Sequence, residues 1–211
     1  LAGALAALST ATEPEAVILI AVCAVSAGVE LRRRGWRDRT AQRSLAAPLL
    51  APLGLIAVGA FFWVWTGTPF ANWIAQHDGW KERSDPLALV HLTTRLAGEI
   101  SFSHFNHPTI NLNLVIGLLG AVVLVVLLVL LLKARRTVSI EALVWTLGIS
   151  LIAATAEYTP PNPRLLITAF PAVIVPAYFL RRRGFSVLLV ANGVLLAGLS
   201  ALTFVGVTLR P

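Results

Sequence analysis

The chain has 211 residues, 57% of them hydrophobic and only 13% charged, with a formal net charge of +7 and a mean hydropathy of +0.79. Soluble domains are about 45–50% apolar and about 25% charged, so this composition excludes an ordinary soluble enzyme and predicts an integral membrane protein. The basic excess lies in short clusters beside apolar runs, a pattern of membrane orientation that predicts no nucleic-acid partner, and the single Cys23 excludes a disulfide framework.

The sequence opens in mid-hydrophobic stride with LAGALAAL, contains no methionine, and has no signal-peptide charge pattern. Residues 1–8 read as the end of an earlier span whose start lies upstream. Six apolar segments follow, at about 15–31, 44–66, 110–132, 137–156, 165–180 and 184–208. Runs of about 20 apolar residues are the length that crosses a bilayer as a helix. The expected fold is all-α: one polytopic transmembrane helix bundle over residues 1–211, with about six spans plus a partial one. A long extracytoplasmic loop, 67–109, is expected to carry interfacial amphipathic helices.

Three basic clusters separate the spans: Arg32, Arg33, Arg34, Arg37, Arg39 and Arg43; Lys133, Arg135 and Arg136; Arg181, Arg182 and Arg183. If the six spans alternate, all three clusters fall on one side, which the positive-inside rule makes cytoplasmic. The expected location is the plasma membrane, with the bilayer itself as a partner. The other side receives STATEPE (9–15), the stretch from about 66 to 111, and EYTPPNPR (157–164). These segments hold seven of the ten acidic residues and all four histidines, so chemistry is expected on the extracytoplasmic face.

Within the long loop, Phe70, Trp73, Ile74 and His77 follow helical spacing, and Trp80 and Lys81 extend the same face. This predicts an amphipathic helix with tryptophans at headgroup depth. Leu87 to Ile100 reads as a second, gathering Leu87, Val90, His91, Thr94, Leu96 and Glu99. His91, Arg95 and Glu99 stand at i, i+4 and i+8. A metal or acid–base row has that spacing, but so does a solvated charge ladder, which is the preferred reading. His104 and His107 in SHFNHP lack the helix and glutamate of a zinc-protease motif, and no metal is expected. The chain has no serine elbow, P-loop or dinucleotide fingerprint, and no cofactor is expected.

In EYTPPNPR, Pro160, Pro161 and Pro163 remove donors and stiffen the backbone, fixing the directions of Tyr158 and Arg164. Two readings stand. The segment is a rigid connector whose arginine snorkels to headgroups, or it presents a fixed guanidinium, a planar fork suited to phosphate oxygens, where a lipid phosphate arrives.

TGTPFANWIAQHDGWKER followed by PPNPRLLITAFPAV resembles the C-terminal half of PIG-V-like membrane mannosyltransferases, chiefly actinobacterial, of the C-type glycosyltransferase (GT-C) superfamily. The first segment resembles the family's aromatic loop with its Q-x-x-x-W pattern, here Gln76 to Trp80. The second resembles P-R-[FL]-L-x-x-F-P, here Pro163 to Pro171. LAGALAALSTATEPEAV resembles a G-L-x-x-x-x-T-R-P turn, with Thr12 and Pro14 in place but Glu13 where arginine is common.

The resemblance implies transfer of a sugar, usually mannose, from a polyprenyl-phosphate donor to a lipid-linked or protein acceptor outside the cytoplasm. It also places the catalytic carboxylate upstream of residue 1, leaving no catalytic residue to assign in this chain. Arg164 becomes the candidate for the donor phosphate. Gln76, His77, Trp73, Trp80, Glu157 and Tyr158 become candidates for substrate contacts, although interfacial anchoring equally explains the aromatic residues. Glu13 and Glu15 flank Pro14 at the outer end of a span, where a charged surface turn is the preferred reading over cavity lining. The other classes to weigh are a lipid-linked-sugar transporter or flippase and a non-catalytic membrane subunit. Transporters keep ionisable residues near mid-membrane, and these spans have almost none there.

Overall fold

A computed structural model describes residues 1–79, 83–99, 112–157 and 163–204. Every regular element among them is helical, apart from one isolated antiparallel bridge between Ser84 and Ala156. Helix α1 (Ala2–Thr12) leads through a 3₁₀ turn, Pro14–Val17, into α2 (Ile18–Arg34). The turn forms because Pro14 fixes φ at the first helical position, where no N–H is needed. α2 stops at Gly35, whose φ of 85° a side chain would resist. Its last turn is Arg32–Arg34, cations where the helix dipole is negative.

Asp38 then caps α3 (Arg39–Ser44), accepting from the backbone N–H groups of Thr40 and Ala41 at 2.8 and 2.9 Å. Those hydrogen bonds, Ala41's first, hold its carboxyl below the usual range. Short α4 (Ala46–Leu50) and α5 (Leu53–Thr66) continue in the same direction, and Gly67 ends α5 in the left-handed conformation with φ 78°.

The α1 contact with α4 and α5 is built on small residues. A methyl placed on Gly3 would lie 2.9 Å from the Ala47 Cα, and one on Gly54 would overlap the Ala7 carbonyl oxygen. Backbones this close allow a hydrogen bond from Thr10 Oγ1 to the Ala51 carbonyl at 2.7 Å, in the buried seam. This is the close packing of small residues that joins helices where the hydrophobic effect between them is weak.

The expected first amphipathic helix is shorter than its pattern. It folds as α6 (Ala71–Ile74), which packs on α5, and widens into a π-helical turn over Ala75–Gly79. The second expected helix is α7 (Ala88–Glu99), but its buried stripe is Ala88, Leu92 and Leu96, with Leu87 and Val90 exposed. The sequence pattern had placed Leu87 and Val90 on the gathered face. α7 packs against α8 and α9, so neighbouring helices rather than an interface choose its buried face.

Helices α8 (Leu112–Lys133) and α9 (Ile140–Thr155) match their expected segments, and Ser139 caps α9 at the Ala142 N–H. The segment expected at 165–180 is not one helix. It is α10 (Pro163–Thr168), α11 (Phe170–Ile174) and α12 (Pro176–Phe179), with Pro171 and Pro176 opening the second and third pieces. Each proline lacks an N–H and crowds the preceding turn. α13 (Arg182–Phe204) completes the described chain.

Among the described residues, two helical stretches are long and apolar enough to cross a membrane by length and composition: Arg39–Thr66 and Leu114–Lys133. Their most apolar windows are 11% and 33% buried, whereas the core helix of a soluble protein is mostly buried. At a rise of about 1.5 Å per residue, α2 and α9 reach about 26 and 24 Å, short of the ~30 Å of a hydrocarbon core.

Two apolar clusters tie the bundle. Ile18 of α2, Ile149 of α9 and Ala169 at the α10–α11 break form one, flanked by Val22, Trp145 and Ile152. Leu131 and Ala134 at the end of α8 form the other with Val175, at the α11–α12 break. Both breaks in the proline-rich segment are therefore buried, which is where irregular backbone can be accommodated.

Candidate functional site

The acidic turn after α1, the middle of α9 and the end of α10 meet. A cavity of about 290 Å³ is lined by Ser9, Thr12, Glu13, Glu15, Ala16, Leu19, Trp145, Ile149 and Thr168. The 3₁₀ turn places Glu13 and Glu15 at this cavity, Glu15 half-buried and Glu13 exposed. Neither carboxylate pairs with a protein cation among the described residues.

The opposite wall follows from the helix break. Ala172 N–H donates to the carbonyl of Ala169, three residues back, so it does not serve the Thr168 carbonyl four residues back. Trp145 Nε1 of α9 donates to that carbonyl instead, at 2.8 Å. The indole thereby locks α9 to the end of α10, and its ring closes the cavity wall. The result is a small pocket with two carboxylates, three hydroxyl-bearing residues and an apolar back of Leu19, Ile149 and indole, a mixture typical of ligand sites.

Further along α9, the long loop is stitched to the helix's end. Asp85 N–H donates to the Thr155 carbonyl at 2.7 Å, and Glu157 N–H to the Arg83 carbonyl at 3.0 Å. The Thr155 carbonyl is one of the helix-end acceptors with no partner inside the helix. Arg95 of α7 reaches Glu157, with Nη2 3.3 Å from Oε1 and Nη1 3.5 Å from the backbone carbonyl. Asp85 accepts from the Leu87 N–H at 2.8 Å, and its second oxygen lies 2.6 Å from His91 Nδ1. Chiefly through the Leu87 N–H, with His91 and Arg95 adding to it, the Asp85 carboxyl is held below the usual aspartate range. Of the expected His91–Arg95–Glu99 ladder, two members therefore reach across to Asp85 and Glu157 rather than to one another; the Glu99 side chain lies outside the described residues.

The predicted site residues separate into two groups. Trp73 and His77 stack, with ring centroids 5.2 Å apart and 24° between planes, and His77 Nδ1 lies 2.9 Å from Asp78 Oδ1. Gln76 is exposed on the same π-helical turn. This group sits on the segment that packs on α5. Glu157 belongs to the junction with Arg95, and Arg164 is the second residue of α10, with its side chain outside the described residues. Trp80 and Tyr158 also lie outside the described residues, as do His104 and His107.

Sequence reading missed Trp145, Thr168, Asp85 and Arg83. The signal for Trp145 was an indole within an apolar helix, which needs an acceptor when removed from water. The signal for Thr168 was a proline three residues on. No protein-family model, curated protein or solved structure matches this chain.

Proposed function

We propose that the chain is the membrane-embedded part of a glycosyltransferase that moves a sugar from a polyprenyl-phosphate donor to a lipid-linked or protein acceptor on the extracytoplasmic face. Mannose is the sugar the motif resemblance suggests. One observation carries the reading: the turn Ser9–Ala16 and the end of the PRLLIT helix, which bear two of the three resemblance motifs, wall a single cavity.

The chemistry available there suits such a transfer. Carboxylates and hydroxyls exchange hydrogen bonds with sugar hydroxyls, and the indole offers an apolar face. Arg164 precedes Thr168 by one turn of α10, about 6 Å along the axis at ~1.5 Å per residue. As the bond from the anomeric carbon to the phosphate oxygen breaks, the acceptor oxygen bonds that carbon and loses its proton to a base. The leaving phosphate gains charge, and a fixed guanidinium stabilises it more in the transition state than in the ground state.

Membrane placement as a bundle of about six spans is part of the proposal. It is supported by the exposed apolar flanks of α5 (Phe61, Trp63, Val64, Trp65) and α8 (Val122, Val125, Val126, Val129). A soluble monomer rarely exposes patches of that extent. The basic clusters would then face the cytoplasm.

The broken α10–α12 segment favours one alternative, a lipid-linked-sugar transporter, because transporters use discontinuous helices. Against it, Glu13 and Glu15 stand in the turn between α1 and α2 rather than within either α-helix. The deciding experiment is sugar transfer from radiolabelled polyprenyl-phosphate mannose in membranes carrying the complete gene product or its Arg164→Ala variant. Loss of transfer in a variant of unchanged abundance and melting temperature is the expected result. Full activity in that variant would remove the phosphate role, and movement of labelled donor across the bilayer without transfer would favour the transporter.

A further inference from the structure

The basic end of the bundle carries a second concave site. Val129 and Leu132 of α8, with Lys133, Arg135 and Arg136, line an open notch of about 420 Å³. The turn that bears the arginines is fixed. The Ala134 carbonyl accepts from the Thr137 N–H and hydroxyl, both at 2.8 Å, and Leu131 and Ala134 are buried against Val175. The same packing brings the chain out towards Arg181, Arg182 and Arg183 from this end.

Among the described residues, Lys133, Arg135 and Arg136 form no ion pair with a carboxylate. Glu141, the carboxylate nearest in the chain, begins α9 without joining them. Three cations on a rigid frame, unneutralised by the protein, call for an external anion. The notch also has an apolar floor. It continues up α8 as the exposed stripe Val122, Val125, Val126 and Val129, whose spacing of three and four residues keeps it on one helix face.

We propose that this notch binds an anionic phospholipid, its phosphate held by Lys133, Arg135 and Arg136 and one acyl chain lying along the valine stripe. Arginine supplies the planar fork and lysine the point charge that phosphate oxygens accept. The continuous apolar stripe selects a lipid over a soluble phosphate, which would use only the rim. The proposal rests on membrane placement but not on transferase activity.

The test uses the full chain in neutral micelles with fluorescent phosphatidylglycerol or phosphatidylcholine as probe, after an alkaline wash has confirmed that the protein stays in membranes. A basic residue near a lipid surface strengthens binding roughly fivefold, so replacing all three with glutamine should weaken phosphatidylglycerol binding on the order of 100-fold. Phosphatidylcholine binding should not change. Lys133→Arg/Arg135→Lys/Arg136→Lys, which keeps the charges, should retain most of the affinity and show that folding survives. An equal loss in a matched Arg32→Gln/Arg33→Gln/Arg34→Gln variant would overturn the site, since general surface charge would then suffice. Displacement of the probe by equimolar glycerol 3-phosphate would assign the notch to a soluble phosphate and overturn the lipid reading. Washed-in protein that does not distinguish the two lipids would overturn the notch while leaving the transferase proposal intact.

Discussion

Replacing Gly54 by alanine tests the tightest contact in the bundle. The added methyl would overlap the Ala7 carbonyl oxygen and stand 2.5 Å from Thr10 Oγ1 and 2.8 Å from the Ala11 nitrogen. Two of these atoms are helix backbone and cannot swing aside, so α1 and α5 must separate. Overpacking of this kind costs about 1–3 kcal/mol, and pulling Thr10 from the Ala51 carbonyl removes about 0.5–1.5 kcal/mol more. Alanine's better helix propensity returns roughly 0.8–1 kcal/mol, leaving a net destabilisation of about 0.5–3.5 kcal/mol.

Gly28→Ala on α2 is the matched control, because a methyl there meets nothing within 4 Å. It should be neutral or stabilising by up to about 1 kcal/mol. The assay is equilibrium unfolding in detergent, supplemented by Thr10→Ala in both backgrounds. Thr10→Ala should cost less when Gly54 is already alanine, since the hydrogen bond it removes is then already broken. If Gly54→Ala behaves like Gly28→Ala, the close crossing of α1 on α5 is wrong.

Two further substitutions probe the cavity and its margin. Trp145→Phe keeps a ring but removes the donor to the Thr168 carbonyl, and should destabilise by about 0.5–1.5 kcal/mol; hydrogen exchange should rise in α10 and α11 but not in α1. No change there would mean that the indole does not hold the break. The Asp85 carboxyl has a folded-state pKa below its unfolded value, so its contribution is present at neutral pH and is lost as pH falls through about 4 and below. Limited proteolysis of the loop before α7 should therefore accelerate below about pH 4, and Asp85→Asn should be cleaved readily at pH 7 and lose that acid step. An acid step that persists in Asp85→Asn would assign it to another carboxylate.

The helices were legible where one property set them. α8 and α9 follow from apolar runs separated by a basic turn, and α2 lies within three residues of its expected segment, 15–31, at either end. The failures have separate causes. In α7, Leu87, Val90 and Leu96 can be gathered by spacing alone, but contact with α8 and α9 selects Ala88, Leu92 and Leu96. In the segment from 165 to 180, hydropathy averaged over Pro171 and Pro176 and so concealed two breaks. The candidate site was partly readable. The sequence favoured a surface turn over cavity lining for Glu13 and Glu15; both line the cavity, and Glu13 is exposed as well. That the turn at Thr12–Glu15 and Thr168 face one another is a distance of about 150 residues in sequence, which no local pattern encodes.

The proline-rich segment links fold and site through one physical necessity. A continuous helix from Pro163 to Phe179 would satisfy its own carbonyls and present only side chains to α9. Breaking it at Ala169 turns the Ala172 N–H to the Ala169 carbonyl, so that a donor to the Thr168 carbonyl can come from a neighbouring helix. Trp145 provides it, so the break fixes the spacing between α9 and α10 with a directional bond instead of interchangeable apolar contacts. Ala169, with no side chain beyond Cβ, then lets Ile18 and Ile149 close underneath. Substituting Ala169 by leucine would press on both isoleucines, whereas removing both prolines would let the helix heal and release the indole. The prolines thus set where Thr168 meets the indole, while the turn from Ser9 to Leu19 supplies most of the cavity's lining.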